Sequence, residues 1–336
     1  MIKKHYTEVC SYPWDTLMFN YDGSFGICCG GPNFFFCKIS SLKEIEYAWN
    51  KLEIQNIRRS LLYRDLNNHC KDCAMFKKYY DNEYVNIEEG KSICRQGCNR
   101  PKNVAIRYHV KPKHLQVNIT NKCNLRCIMC GAEKGSDEIS LELFDEISKW
   151  YLPYSETFSN TINGEPFAHS NFNGILDIME KYKPKNAFTL SNGSLSVNEE
   201  IWEKFIRTHR SIHFSVDAAT KDTHKSIRGF DMEKLFKNIN IIKEIKSSEK
   251  YKNKDFFIGF NFVIMKRNVK EMFEFVRLVF EEWGGRVVEM HHVGGMEEES
   301  VFNSTEHVYL YNCQLKMIKD CYGDKEITSP SFIENK

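Results

Sequence analysis

Short apolar runs and amphipathic segments alternate along the chain from Leu115 onward. A strand that is buried on both faces shows a short apolar run, whereas a helix packed against a sheet shows apolar residues at helical spacing. The alternation therefore predicts repeated βα units around a parallel sheet. The predicted strands are Leu115–Ile119, Thr157–Ile162, Asn186–Leu190, Ile212–Val216, Phe256–Ile264 and Val287–His292.

Amphipathic segments predict helices between and after these strands. They are Leu141–Trp150, Phe172–Tyr182, Glu199–His209, Met232–Ile245, Val269–Trp283 and Glu306–Asp320. Six such units predict an α/β fold with a partial (β/α)6 barrel over residues 113–295, followed by a helical extension over residues 296–336. In barrels of this kind the active residues lie on loops that follow the strands, so we expect the chemistry at the strand C-termini.

The first hundred residues have a different, irregular pattern. They contain a Gly-rich turn at Cys28–Asn33 and one amphipathic stretch, Leu42–Leu62. Because these residues show little of the pattern that forms a hydrophobic core, we predict a small domain over residues 1–100 that is held together by bound metal.

Composition excludes several classes of protein. The 336 residues are 42% hydrophobic and 27% charged, with a net charge of +2, so we expect neither disorder nor a nucleic-acid partner. The longest apolar run, Phe256–Met265, is too short to cross a bilayer, which needs about twenty residues. Residues 1–15 lack the apolar stretch of a secretory signal. We therefore expect a cytoplasmic protein without a membrane partner.

Thirteen cysteines are more than packing explains in a reducing compartment, where disulfides do not persist. Eight lie within Cys10–Cys98, three within Cys123–Cys130, and only Cys313 and Cys321 follow. Metal ligation is therefore the leading interpretation. We expect the last two to pack within the final helix.

The segment Asn118–Gly131 reads NITNKCNLRCIMCG, with three and then two residues between its cysteines. A loop this short can wrap one cubane, and three thiolates leave one iron open to chelate a small molecule. The pattern resembles the radical SAM superfamily. This resemblance implies that Cys123, Cys127 and Cys130 bind a [4Fe–4S] cluster that cleaves S-adenosylmethionine, and that Met129 lies against the adenine. A zinc site is the alternative, but zinc usually takes four ligands from separated pairs.

Three later strand ends and one turn after them resemble the S-adenosylmethionine contacts of this family, in the same order along the chain. They are Asn163-Gly164-Glu165-Pro166, Leu190-Ser191-Asn192-Gly193, His213-Phe214-Ser215-Val216-Asp217 and Ser226-Ile227-Arg228-Gly229. The resemblance implies that Gly164 and Glu165 receive the methionyl ammonium and that Asn192 also faces the cofactor. It implies that Ser215, Asp217 and Arg228 face its carboxylate and ribose. Asn163 stands where the family has a glycine, and Asn tolerates left-handed backbone angles better than most residues.

The N-terminal cysteines resemble the twitch and SPASM auxiliary-cluster domains of radical SAM enzymes. The resemblance implies one auxiliary iron–sulfur cluster on the thiolates of Cys10, Cys28, Cys70 and Cys73. Tyr79 stands where the fuller SPASM pattern has a cysteine, which favours one such cluster over two. A four-thiolate zinc ribbon using Cys94 and Cys98 with Cys70 and Cys73 is the alternative. A second auxiliary cluster would use the remaining Cys29, Cys37, Cys94 and Cys98.

His291 and His292 end the sixth predicted strand and are candidates for an acid or base, although a purely structural role fits them equally. The resemblance implies hydrogen abstraction from a small polar molecule such as a sugar, aminocyclitol or nucleotide. The auxiliary cluster would accept an electron, and a flavodoxin or ferredoxin would supply the reducing electron. The alternative is modification of a ribosomally made peptide.

Overall fold

The computed structural model describes residues 12–28, 35–38, 42–63, 70 and 112–333. Within these ranges the chain forms two compact units. The first contains the described residues up to Asn118 together with Ile139–Phe158, and the second contains Ile119–Glu138 and the residues from Ser159 onward. The units therefore divide the chain differently from residues 1–100, 113–295 and 296–336, and that sequence-based division stays a prediction.

The first unit places N-terminal strands beside a predicted barrel strand. Strand β1 (Thr16–Phe19) pairs in parallel with β4 (His114–Val117) and antiparallel with β2 (Ser24–Gly26), and β2 pairs with β3 (Phe35–Lys38). The irregular pattern gave no sign of this, because all four residues of β1 are buried and show no alternation. The strands are β1 (Thr16–Phe19), β2 (Ser24–Gly26), β3 (Phe35–Lys38), β4 (His114–Val117) and β5 (Thr157–Ser159), whose last residue belongs to the second unit. The helices are α1 (Tyr12–Asp15), α2 (Ile45–Trp49), α3 (Leu52–Tyr63) and α4 (Leu141–Tyr151), with a 3-10 turn at Leu42–Glu44.

The second unit is a parallel sheet with helices between its strands. The strands are β6 (Ala187–Ser191), β7 (Ser211–Ser215), β8 (Phe257–Ile264), β9 (Val287–His292) and β10 (Glu326–Thr328). Neighbouring strands follow the order β6-β7-β8-β9-β10, and every adjacent pair is parallel. The α-helices are α5 (Phe172–Tyr182), α6 (Glu199–Thr208), α7 (Lys221–Arg228), α8 (Met232–Ser247), α9 (Met272–Leu278) and α10 (Thr305–Tyr322). Short 3-10 turns occupy Pro166–Ala168, Val269–Glu271, Glu297–Glu299 and Val301–Asn303, and Val279–Trp283 is a π-helix.

The two faces of this sheet differ in chemistry. Phe260 and Phe262 contact Phe275 of α9, with ring centroids 6.5 and 4.8 Å apart, so their face carries the helix-packed core. Because side chains alternate along a strand, the residues between them point to the opposite face. That face carries His213, Ser215, Asn261, Glu289 and His291, and we call it the polar face.

The predicted α/β class with a parallel sheet is confirmed. Helix α5 and strand β9 have the predicted ends. Three predictions were wrong in detail. The strand predicted to end at Ile162 ends at Ser159. The single helix predicted for Val269–Trp283 is divided into 3-10, α and π segments. The segment before Gly229 was predicted as a turn and is the end of helix α7.

Both C-terminal cysteines lie in α10. Cys313 is half-buried and Cys321 is exposed, so Cys321 does not pack in the core as expected. Among the described helices, none is both long and apolar enough to span a bilayer.

Candidate functional site

The cysteine-bearing loop, residues 119–138, is closed by hydrogen bonds between its two ends. Thr120 pairs with Glu138 in an isolated bridge, and the Thr120 hydroxyl donates to the Asp137 carbonyl at 2.8 Å. The Asn121 side chain donates to the Asp137 carboxylate and accepts from the Asp137 N–H, both at 2.8 Å. These contacts fix the base of the loop, so the cysteines between them are carried on a short closed segment.

The three thiols of this loop lie near enough to influence one another. Cys123 and Cys127 are half-buried and Cys130 is exposed, and the Cys130 N–H donates to the Cys127 carbonyl at 3.1 Å. Burial raises the pKa of the Cys127 thiol, the charges of Arg228 and Lys134 oppose that effect, and the other two thiols add to it. Three soft ligands with two basic neighbours suit an iron–sulfur cluster, in which each thiolate binds a different iron. In the described ranges no three His, Cys, Asp or Glu side chains are grouped to hold a single metal ion.

Arg228 connects this loop to the end of strand β7. Its Nη1 lies 3.8 Å from the Cys127 sulfur, and its Nη2 lies 2.5 Å from Oδ2 of Asp217. The Ile128 N–H also donates to the Ile227 carbonyl at 3.0 Å, which holds the loop against the end of α7. One guanidinium therefore adjoins both a cysteine thiol and a buried carboxylate.

Asp217 is completely buried in an unusual backbone conformation. Its φ is +63°, in the left-handed region that non-glycine residues rarely adopt. Its Oδ1 accepts from the Val263 N–H at 2.6 Å, and buried Asn268 donates to its carbonyl at 2.9 Å. Burial raises the pKa of Asp217, and the charge of Arg228 opposes that shift. Such strain persists only where neighbouring contacts enforce it, and it is concentrated at functional sites.

Gly164 allows close backbone approach to the cysteine loop. Its φ is +74°, and a Cβ at this position would clash with the Thr120 carbonyl and lie 2.8 Å from that of Lys122. Asn163 does not take a positive φ, so the left-handed position of this turn belongs to the glycine and not to the asparagine. The Glu165 N–H donates to the Lys122 carbonyl at 2.7 Å, which fixes the turn against the loop.

Glu165 is a buried carboxyl surrounded by donors. It accepts from the Ser191 hydroxyl at 2.8 Å and from the backbone N–H groups of Asn192 and Phe167 at 2.7 and 3.3 Å. Burial nevertheless raises its pKa to about 7. Asn192 in turn places its Nδ2 3.9 Å from the Cys123 sulfur and 3.1 Å from Oδ1 of Asn124. Gly164, Glu165, Asn192, Asp217 and Arg228 are thus brought to the cysteine loop by direct contacts or by one intervening residue.

Two further predicted residues lie in the same unit with fewer contacts. Met129 is half-buried on the cysteine loop, and Ser215 is half-buried at the end of β7. Of the predicted auxiliary ligands, Cys28 and Cys70 are half-buried. Cys10 and Cys73 lie outside the described residues, as do Cys29, Cys94 and Cys98, and of Cys37 only the backbone, in β3, is described.

The polar face of the second unit was missed by the sequence analysis as a site. The His213 Nδ1 on β7 lies 3.8 Å from a carboxylate oxygen of Glu289, two strands away on β9. Gly259 on the intervening strand makes this possible, because a Cβ there would lie 2.7 Å from that nitrogen. Burial lowers the pKa of His213, and the charge of Glu289 opposes the shift. The side-chain oxygen of Asn261 is buried beside them, and a hydrogen bond with Asn261 also opposes the lowering of the His213 pKa. A period-two polar pattern in β7, β8 and β9 was the available signal.

The two histidine candidates lie on opposite faces of β9. His292 packs against Phe302 and against Tyr311 of α10, with ring centroids 4.5 and 5.0 Å away, and burial lowers its pKa to about 4. His291 lies on the polar face, with its Nε2 4.0 Å from Glu289. The packing of His292 fits a structural role, whereas His291 lies among the side chains of the polar face.

Comparison with known proteins identifies the domain around this site. Residues 117–279 match the Radical SAM superfamily. The antilisterial bacteriocin subtilosin biosynthesis protein AlbA of Bacillus subtilis is 27% identical over 166 residues, covering 45% of this chain and 35% of AlbA. GTP 3′,8-cyclase of Clostridium botulinum is 27% identical over 136 residues, covering 38% of this chain and 43% of the cyclase. The chain thus spans less than half the length of either relative.

A solved structure supports the same fold. Streptococcus suis SuiB, crystallised with its precursor peptide SuiA, superposes with a TM-score of 0.51 at 13% identity, over 65% of this chain and 49% of SuiB. The predicted radical SAM fold is confirmed. Enzymes of this superfamily use a [4Fe–4S] cluster and S-adenosylmethionine.

Proposed function

This chain carries a radical SAM domain at residues 117–279, and on that premise we propose that Cys123, Cys127 and Cys130 hold a [4Fe–4S] cluster that cleaves S-adenosylmethionine to start radical chemistry. The observation that carries the proposal is the position of Arg228, whose guanidinium adjoins both the Cys127 sulfur and the Asp217 carboxylate. A cation held there favours the thiolate form of Cys127, which is the form that binds iron.

We propose roles for the other site residues that their contacts support. The backbone of Gly164 lies close to the cysteine loop, and Glu165 would accept from the methionyl ammonium. Asn192 directs an amide N–H toward the sulfur of Cys123. Ser215 and Met129 would line the remaining cofactor surface, and Asp217, which is completely buried, would hold Arg228 toward the cofactor. When bound, the cluster and S-adenosylmethionine would supply the radical chemistry that removes hydrogen from the substrate. The chain must therefore orient the substrate and exclude competing C–H bonds.

We propose a small polar substrate, such as a sugar, aminocyclitol or nucleotide. Support comes from the polar face, where the Glu289 carboxylate and the Asn261 amide oxygen are acceptors in the middle of β9 and β8. Acceptors of this kind bind the hydroxyl or ammonium donors of a polar molecule. The relative named GTP 3′,8-cyclase acts on a nucleotide, which agrees with this class. His291, beside Glu289, is the candidate acid or base.

A peptide substrate is the second candidate. AlbA is named for the biosynthesis of the bacteriocin subtilosin, and SuiB was crystallised with its precursor peptide. The two classes are separated by supplying the reduced enzyme with candidate peptides or with small polar molecules. The true substrate should raise the yield of 5′-deoxyadenosine, and a hydrogen atom from that substrate should be found in the 5′-deoxyadenosine formed.

We also propose an auxiliary iron–sulfur domain over residues 1–100, with Cys10, Cys28, Cys70 and Cys73 as ligands. For the protein as a whole we propose cytoplasmic localisation and a flavodoxin or ferredoxin as the electron donor. The auxiliary cluster would accept an electron from the oxidised substrate. About eight irons per chain are expected after anaerobic reconstitution, and about four in a variant with alanine at Cys123, Cys127 and Cys130. Zinc bound to that variant instead of iron would indicate a zinc ribbon. Complete loss of iron and zinc from a folded variant would contradict the auxiliary metal site.

The proposed activity is tested by reductive cleavage of S-adenosylmethionine. The reconstituted enzyme should form 5′-deoxyadenosine when dithionite and S-adenosylmethionine are added, and the variant lacking the three cysteines should not.

A further inference from the structure

The turn after strand β8 is fixed to the backbone of Asp217 by one buried side chain. Asn268 is completely buried, and its amide donates to the Asp217 carbonyl at 2.9 Å and to the Val263 carbonyl at 2.8 Å. Its side-chain oxygen accepts from the Met265 N–H at 2.7 Å. Both N–H donors and the acceptor of this amide are therefore used. Moving the turn relative to Asp217 would break buried hydrogen bonds, which is costly.

The same turn reaches the start of helix α7 through Glu271. One oxygen of its carboxylate accepts from the backbone N–H groups of Ala219 and Thr220, at 2.7 and 2.9 Å. The other oxygen accepts from the hydroxyl of Thr220, at 3.0 Å, and from that of Thr223. A negative charge also suits this end of the helix, where the backbone dipole is positive. Glu271 therefore holds the start of α7 with four hydrogen bonds.

Helix α7 connects this contact to Arg228. The helix has eight residues, a length of about 12 Å, and Arg228 is the last of them. In its middle, Nδ1 of the buried His224 ring donates to the Val216 carbonyl at 2.7 Å. Burial lowers the pKa of His224 to about 4, so the ring is neutral at pH 7 and Nδ1 carries the hydrogen that this carbonyl accepts. Contacts at the middle and at the start together set the direction of the helix, and hence the place of Arg228 at its end.

We propose that Glu271 is a positioning residue for S-adenosylmethionine, because through α7 it places the Arg228 guanidinium where the carboxylate of the cofactor can reach it. This inference rests on the proposed role of Arg228 in the cofactor site. A hydrogen bond weakens steeply when its donor is misaligned, and a charge-assisted one has the most to lose. A change in the direction of α7 should therefore lower the affinity for the cofactor.

Isothermal titration of the anaerobically reconstituted full chain with S-adenosylmethionine tests this proposal. Glu271→Ala removes all four hydrogen bonds and should weaken binding about tenfold, which is the loss expected when one charge-assisted hydrogen bond is misplaced. The iron content should stay at the wild-type value, because the hydrogen bonds of Glu271 are made with α7 and the residues just before it. The matched control Glu274→Ala removes an exposed carboxylate from the next turn of the chain and should bind like the wild-type chain.

Further variants separate positioning from a general loss of structure. Glu271→Gln should restore the affinity to within about threefold of the wild-type value, because its oxygen can accept from the two N–H groups and its NH₂ group can donate to the two threonine hydroxyls. In the background Asp217→Asn with Arg228→Ala, Glu271→Ala should cause no further loss, since no guanidinium remains to be placed. If Glu271→Ala fails to fold, Thr223→Val replaces it. That change removes one of the four donors and should cause a smaller loss in the same direction.

Three results would overturn the proposal. The first is an unchanged affinity in Glu271→Ala. The second is an equal further loss in the background without Arg228, because Glu271 would then act by a route other than the guanidinium. The third is a Glu271→Gln variant as weak as Glu271→Ala. A wild-type chain that binds no S-adenosylmethionine would instead contradict the proposed function itself, and with it this role of Glu271.

Discussion

The guanidinium of Arg228 lies 2.5 Å from the carboxylate of Asp217, and both side chains are almost or completely removed from solvent, with 9% and 0% of their side-chain areas exposed. A buried ion pair contributes little net stability when intact, but removing one partner leaves an uncompensated buried charge. Because Arg228 also lies beside the Cys127 sulfur, breaking the pair should change both the surroundings of Cys127 and the stability of the second unit.

Arg228→Ala should destabilise the chain by about 3–5 kcal/mol, because the Asp217 carboxylate loses its partner. Asp217→Asn combined with Arg228→Ala should cost less than the sum of the two single changes, because the neutral amide needs no cation. Denaturant unfolding under anaerobic conditions measures each free energy. Strict additivity of the two changes would show that the pair is not coupled.

Arg228→Ala should also weaken S-adenosylmethionine binding by about 1.5–3 kcal/mol.

Gly164→Ala should destabilise the second unit and abolish cluster loading, because a Cβ there would meet two carbonyls of the cysteine loop at a φ of +74°. Two matched variants separate the causes. Gly229→Ala, at a φ of +78° in open space, should lose only the about 1–2 kcal/mol of left-handed strain. Gly131→Ala, which meets nothing within 4 Å, should be nearly neutral. Equal unfolding free energies for the Gly164 and Gly229 variants would contradict the close backbone approach.

Glu165 should give the folding stability a measurable pH dependence. Burial raises its pKa from 4.5 to about 7 in the folded chain, so the folded state prefers the protonated carboxyl. Its contribution is therefore fully present below pH 4.5 and is lost as the pH rises toward 7, by about 3 kcal/mol. The difference in unfolding free energy between the wild-type chain and Glu165→Gln isolates this contribution. A difference that stays constant from pH 4.5 to 8 would show that the pKa is not raised.

Glu289→Gln should lower the pKa of His213 further, because the carboxylate opposes the effect of burial on that ring. NMR of the chain labelled at its histidine rings measures the titration. Glu282→Gln, an exposed change on the π-helix beside Arg277, is the matched control and should leave His213 unchanged. A His213 titration that is the same in both variants would mean that the ring does not reach across Gly259 to Glu289.

Sequence patterns predicted the regular units and the strand-end motifs well. Strands such as β8 are marked by mostly apolar runs, and the helices between them by helical spacing of apolar residues. Helix α7 was missed because its eight residues, KDTHKSIR, are almost all polar and bury only His224, Ile227 and Arg228. Its ends are set by the Thr220 cap and by Gly229 in a left-handed conformation.

The polar face was missed for a different reason. His213, Gly259 and Glu289 are far apart in sequence, and their contact depends on strand register and on the missing side chain of one glycine. Strand β1 was also missed, because a short strand buried on both faces resembles any other apolar run.

The formation of 5′-deoxyadenosine tests the central claim most directly. The anaerobically reconstituted chain, given dithionite and S-adenosylmethionine, should produce it, and the variant with alanine at Cys123, Cys127 and Cys130 should produce none. The matched control, alanine at Cys313 and Cys321 in α10, should keep the wild-type yield. Cleavage that survives in the variant lacking the three loop cysteines would contradict the assignment of the cluster to that loop.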